Sequence, residues 1–90
     1  MRIEETDVRV VKTSYNYVYY SWRVELYSYE QNNRRCMINI SFLDADGFEI
    51  KSTAENVTIP PGYYSATDQS MCELGIWEQI VEYKTTLNCW

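Results

Sequence analysis

Side-chain character alternates with a period of two along most of this chain. Over residues 17–30 the even positions Val18, Tyr20, Trp22, Val24 and Leu26 are apolar, while Ser21, Arg23 and Glu25 on the odd register are polar. Successive side chains of a β-strand point to opposite faces, so this segment reads as a strand with one face in a core. The same five apolar residues would wrap around a helix instead of forming a stripe on it. Tyr27 and Tyr29 continue the odd, outward register. Aromatics make up 16% of the chain and nine of them are Tyr. Tyr suits a pleated, half-buried surface, because its ring can be covered while its hydroxyl stays in water.

The same pattern recurs between turn signals. Residues 8–13 form a short β-branched run that reads as an edge strand. After the turn cluster 31–34, Cys36, Ile38, Ile40 and Phe42 alternate with Met37, Asn39 and Ser41. Asp44-Ala45-Asp46-Gly47 ends that strand, and residues 48–51 form the return arm of a hairpin. Residues 56–59 give a further strand, stopped by Pro60-Pro61-Gly62 because Pro cannot donate to a ladder. Residues 63–72 read as another strand. Ile76 and Ile80, four apart, suit one helical turn over 75–80 packed as a plug. Val81, Tyr83, Thr85, Leu87 and Cys89 then alternate with polar neighbours in a closing strand. The chain is therefore expected to be all-β: a small antiparallel β-sandwich of seven strands forming a single domain over residues 1–90. Its expected core is Trp22, Val24, Leu26, Ile38, Ile40, Phe42, Phe48, Ile59, Tyr83 and Leu87.

Composition narrows the function by exclusion. Eight Lys plus Arg against thirteen Asp plus Glu give a net charge of -5, with no basic block. Affinity for duplex DNA and anionic membranes depends on cation density, so neither is an expected partner. The chain has no His, which removes the commonest general base and metal ligand together. Asp44, Asp46 and Glu55 have the wrong glycine placement for a calcium loop and read as hairpin-turn chemistry. Glu25, Glu30, Glu73, Glu78 and Glu82 have no spacing that fixes an acid/base pair. The sequons at Asn39 and Asn56 mean nothing outside a glycosylating route. We expect no enzyme, cofactor or metal. No apolar run approaches the roughly 20 residues a membrane helix needs, and the polar start Met1-Arg2-Ile3-Glu4-Glu5 shows no signal peptide.

The order of a long strand, an Asn-rich turn, a strand, D-x-D-G, a strand and V-T-I-P-P-G resembles the FxLYD-type family. The matching residues are Ile40-Ser41-Phe42-Leu43-Asp44, Asp46-Gly47 and Val57-Thr58-Ile59-Pro60-Pro61-Gly62. The resemblance implies an immunoglobulin-like sandwich of a prokaryotic extracytoplasmic protein, periplasmic or on the cell surface, and carries no catalytic motif. In such a topology strand 36–43 would pair with strand 63–72. Cys36 and Cys72 would then be the pair within bonding reach and Cys89 would stand alone. Free, buried thiols are the competing reading.

The tyrosines are the remaining functional signal. Tyr27, Tyr29, Tyr63 and Tyr64, with Trp77 of the helical plug, are candidates for ligand or partner contact; cross-strand packing is the plainer role for the same rings. The expected function is a structural or protein-interaction module that binds through a sheet face or edge strand, with self-association open to the edge at 8–11. The alternative is a carbohydrate-binding module with Tyr27, Tyr29 and Tyr63 as its stacking platform.

Overall fold

The computed structural model describes all 90 residues. Six strands and one helical turn follow in order: β1 (Arg2–Thr13), β2 (Tyr17–Ser28), β3 (Arg34–Leu43), β4 (Glu49–Ile59), β5 (Gly62–Glu73), α1 (Leu74–Trp77) and β6 (Glu82–Cys89). They form two antiparallel three-stranded sheets, β1-β2-β5 and β4-β3-β6. The sheets stack as an immunoglobulin-like sandwich of 46 × 27 × 19 Å.

The alternation in the sequence explains the stacking. β2 and β3 are the central strands, and each buries its even register: Val18, Tyr20, Trp22, Val24 and Leu26 against Cys36, Ile38, Ile40 and Phe42. Tyr20 meets Phe42 edge-on at 5.5 Å between ring centroids. Ile59, Ala66 and Cys72 complete the cluster from the flanking strands. Each fully buried aliphatic or aromatic side chain contributes roughly 1.5–3 kcal/mol.

Six strands stand where the sequence predicts seven. Residues 49–51 and 56–59 belong to one strand, β4, because residues 52–55 stay extended and pair with β3 through Ser52–Ser41, Thr53–Ile40, Ala54–Asn39 and Glu55–Ile38. No Gly or Pro interrupts that stretch. β1 begins at Arg2, not near Val8, since ladder pairing with β2 overrides the polar composition of its first half. Two expected core residues lie outside. Phe48 sits in the turn before β4 and is exposed. Tyr83 points inward, opposite Phe42, but lies on an edge strand and stays partly open to solvent.

The strand pairing also corrects the disulfide. β3 pairs with β4 and β6, whereas β5 pairs with β2 in the other sheet. Cys36 therefore faces Cys89 across the β3–β6 ladder, with Cα atoms 4.0 Å apart, and the two are bonded. The pairing Cys36–Cys72 does not form. Cys72 is a free thiol buried in the opposite sheet, opposite Val18. Burial pushes its pKa up, which keeps it protonated and inert.

The bond closes a loop with a sequence separation of 53. Chain-entropy arguments assign such a loop about 4 kcal/mol of stabilisation. The double variant Cys36→Ala/Cys89→Ala should lower the unfolding free energy in urea by about 2–5 kcal/mol. An unchanged midpoint would show that the crosslink contributes nothing.

Candidate functional site

The outward face of the β1-β2-β5 sheet carries the odd register of β2. Its first rung aligns Arg2 of β1, Tyr27 of β2 and Tyr63 of β5. Tyr29 follows just beyond the end of β2. The Tyr27 ring meets Tyr29 at 5.0 Å and Tyr63 at 4.8 Å, with interplanar angles of 60° and 75°. The Arg2 guanidinium lies 6.0 Å from the Tyr27 centroid and 5.8 Å from that of Tyr29. Arg2 is held there by its ion pair with Glu4 at 2.6 Å. Despite these contacts Tyr63 is 78% exposed and Tyr29 61%. The cluster is thus packed internally and open outward.

Two rungs along the same face, an open depression of about 570 Å³ is lined by Asp7, Arg9, Ser21, Arg23, Thr67 and Gln69. Arg9 pairs with Asp7 at 2.7 Å, and Arg23 with Glu25 at 3.6 Å. The floor is polar and its charges are locally balanced.

Of the five aromatic candidates, Tyr27, Tyr29 and Tyr63 come together. Tyr64 does not join them: it lies opposite Leu26 on the inward register and packs half-buried against the core. A two-residue period sends neighbouring side chains to opposite faces, so Tyr63 and Tyr64 could not share one. Trp77 is not on this face either. It stacks on Tyr20 at 5.1 Å and lies 6.2 Å from Phe42, so α1 plugs one end of the sandwich. Arg2 and the polar depression escaped the sequence reading. Only β1 running from residue 2, paired Arg2 to Tyr27, places the guanidinium on the tyrosines.

The acidic residues serve turns and seams. Asp44 Oδ1 accepts hydrogen bonds from the backbone N–H groups of Asp46 and Phe48 at 2.9 and 3.0 Å, and Gly47 takes a positive φ of 85°. Its carboxylate organises a turn. No group of three His, Cys, Asp or Glu side chains is placed to hold a metal ion. Glu55 is on the inward register of β4, opposite Ile38. One of its carboxylate oxygens is buried without a partner.

No family model matches the chain, and no curated protein matches it. Among solved structures, a β-glucuronidase from glycoside hydrolase family 2 is similar over 76% of this chain, with a TM-score of 0.65 and 20% sequence identity. The matched part is 7% of that chain. Likeness at this identity shows the fold: two facing antiparallel sheets.

Burial first, and the negative charge of Asp68 second, push the Glu55 pKa up. The folded chain therefore binds that proton more tightly than the unfolded chain does. Ionisation costs the fold stability as pH rises through the raised value, and the cost vanishes below the ordinary carboxylate range near about pH 4. Glu55→Gln should melt above the parent at neutral pH, with the gap closing as pH falls to about 4. A gap that widens in acid would contradict this account.

Proposed function

We propose that this chain is a non-catalytic interaction module that binds a protein partner through the outward face of the β1-β2-β5 sheet, centred on Arg2, Tyr27, Tyr29 and Tyr63. The supporting observation is the exposed, internally braced cluster of three tyrosines and one arginine. Tyr and Arg are the residue types that dominate binding energy at protein interfaces. Rings already fixed by edge-on packing lose little freedom on binding. The interplanar angles of 60° and 75° make a knobbed surface, not a flat floor, which suits side-chain pockets on a protein better than a sugar ring.

A carbohydrate-binding role is the second reading. The highly exposed Tyr63 stands two rungs from the polar depression, so an oligosaccharide of several units with one ring stacked on Tyr63 would reach hydrogen-bonding partners at Arg23 or Thr67. The disulfide supports an oxidising, extracytoplasmic setting, where such bonds form and persist. That setting is also the one implied by the FxLYD-type resemblance. No helix of the chain is long and apolar enough to cross a membrane.

Pull-down with the wild-type chain, Tyr29→Ala, Tyr63→Ala and Arg2→Ala tests the proposal. Hot-spot truncations typically weaken binding by about 2 kcal/mol or more. All three variants should lose the captured partner, with melting temperatures close to wild type. Retention by every variant would place the contact elsewhere. Glycan-array binding abolished by Tyr63→Ala would favour the carbohydrate reading.

A further inference from the structure

Two three-stranded sheets leave four strand edges facing solvent. Charges and bulges blunt such edges, and the four differ in how far along their length they carry them. β1 has register breaks between Ile3 and Glu5 and between Val10 and Lys12, and it holds six charged residues. β4 carries Glu49, Lys51 and Glu55, and its ladder shifts register at Phe42/Leu43. In β5 the Gln69 amide donates to the Asp68 side chain beside it at 2.7 Å. β6 has no register break, and its two charges, Glu82 and Lys84, lie in its first three residues, leaving Thr85 to Cys89 uncharged.

The direction of the β6 backbone follows from its pairing. Trp90 N–H donates to the Arg35 carbonyl at 3.1 Å, and the Cα atoms of Cys36 and Cys89 are only 4.0 Å apart. That marks Cys36–Cys89 as a non-hydrogen-bonded pair, and alternation makes Ile38–Leu87, Ile40–Thr85 and Phe42–Tyr83 the same. The N–H and C=O groups of Tyr83, Thr85 and Leu87 therefore point away from β3, toward the free edge. The disulfide anchors this strand to β3.

We infer that the free edge of β6 pairs antiparallel with β6 of a second copy of this chain, about a two-fold axis at Thr85. In this register Tyr83 lies opposite Leu87 of the copy and Thr85 opposite itself, so all three outward-pointing residues enter hydrogen-bonded pairs. The ladder gains about six backbone hydrogen bonds. Lys84 faces Thr86 of the copy and Glu82 faces Asn88, so no like charges meet. Shifting the axis by one residue to position 84 would set Lys84 against its own copy, which cross-strand energetics disfavour. The ends match as well: exposed Trp90, at 60%, comes opposite Ile80 of the copy and beside its exposed Val81, at 66%. The surface is separate from the tyrosine face, so this inference stands or falls apart from the proposed function.

A ladder of about eight residues is smaller than a standard interface of about 1,600 Å². The dimer is accordingly concentration-dependent. Each copy carries a net charge of -5. Thr6 of β1 also lies over Thr85, with hydroxyl oxygens 2.7 Å apart, so Glu5 and Asp7 approach their counterparts near the axis. Salt should therefore strengthen association.

Sedimentation equilibrium from micromolar to millimolar protein, paired with amide hydrogen exchange, tests the inference. Amides of Tyr83, Thr85 and Leu87 should gain protection as the dimer forms, while those of Lys84 and Thr86, already bonded to β3, should not change. Thr86 is exposed opposite Asn39, so substitutions there leave the core intact. Thr86→Lys puts like charge opposite Lys84 of the copy twice over and should weaken dimerisation about 2- to 30-fold. Thr86→Glu should tighten it. Net-charge repulsion alone would give the reverse order, because the first variant carries -5 + 1 = -4 and the second -5 - 1 = -6. A chain monomeric at every concentration, protection appearing on β1 instead, or both variants shifting the constant in the same direction would overturn the inference.

Discussion

The sandwich depends on one contact surface: the even register of β2 pressed against the even register of β3. These are the two central strands, and nine of the thirteen buried apolar residues lie on those two registers. A chain of 90 residues buries only about 60–65% of its unfolded surface, so it has one thin core and no reserve. The flanking strands add Ile59, Ala66 and Cys72, and α1 closes one end with Trp77 against Tyr20. The Tyr20 hydroxyl makes no hydrogen bond of good geometry, although Ser70 lies opposite it in the ladder. Its ring earns that position by filling space between Phe42 and Trp77.

Away from the central strands the inward register becomes polar. Glu55 of β4 and Asp68 of β5 both lie on it, opposite Ile38 and Trp22 respectively. At this seam Asp68 is exposed, whereas Glu55 is half-buried and keeps one carboxylate oxygen covered without a partner, which is the costlier placement. The opposite seam is held by Thr6 bonding Thr85 across the sheets, while the Cys36–Cys89 crosslink fixes β6 to β3 within its own sheet. The two seams differ in chemistry because one joins β4 to β5 and the other joins β1 to β6.

The same period fixes what the core leaves outside. A two-residue period that buries Trp22, Val24 and Leu26 must project Arg23, Glu25 and Tyr27 outward. The neighbouring strands decide what stands beside them. β5 supplies Tyr63 and β1 supplies Arg2, turning one outward Tyr into a braced patch.

The even apolar positions of β2 and β3, the turn at Asp44–Gly47 and the stop at Pro60 were all legible in the amino-acid order, because each is a local property of side-chain alternation or backbone freedom. So was the outward register of Tyr27 and Tyr29, whereas Tyr63 joins them only because β5 pairs with β2. Strand partnership was not. Whether Cys36 meets Cys72 or Cys89 depends on which sheet receives β5, and nothing local to either cysteine carries that information. The same holds for Tyr83, whose inward register is correct but whose edge position leaves it wet, and for Trp77, whose destination is set by the ring of Tyr20. Alternation assigns a side chain to a face; only the packing of strands far apart in the chain determines what that face meets.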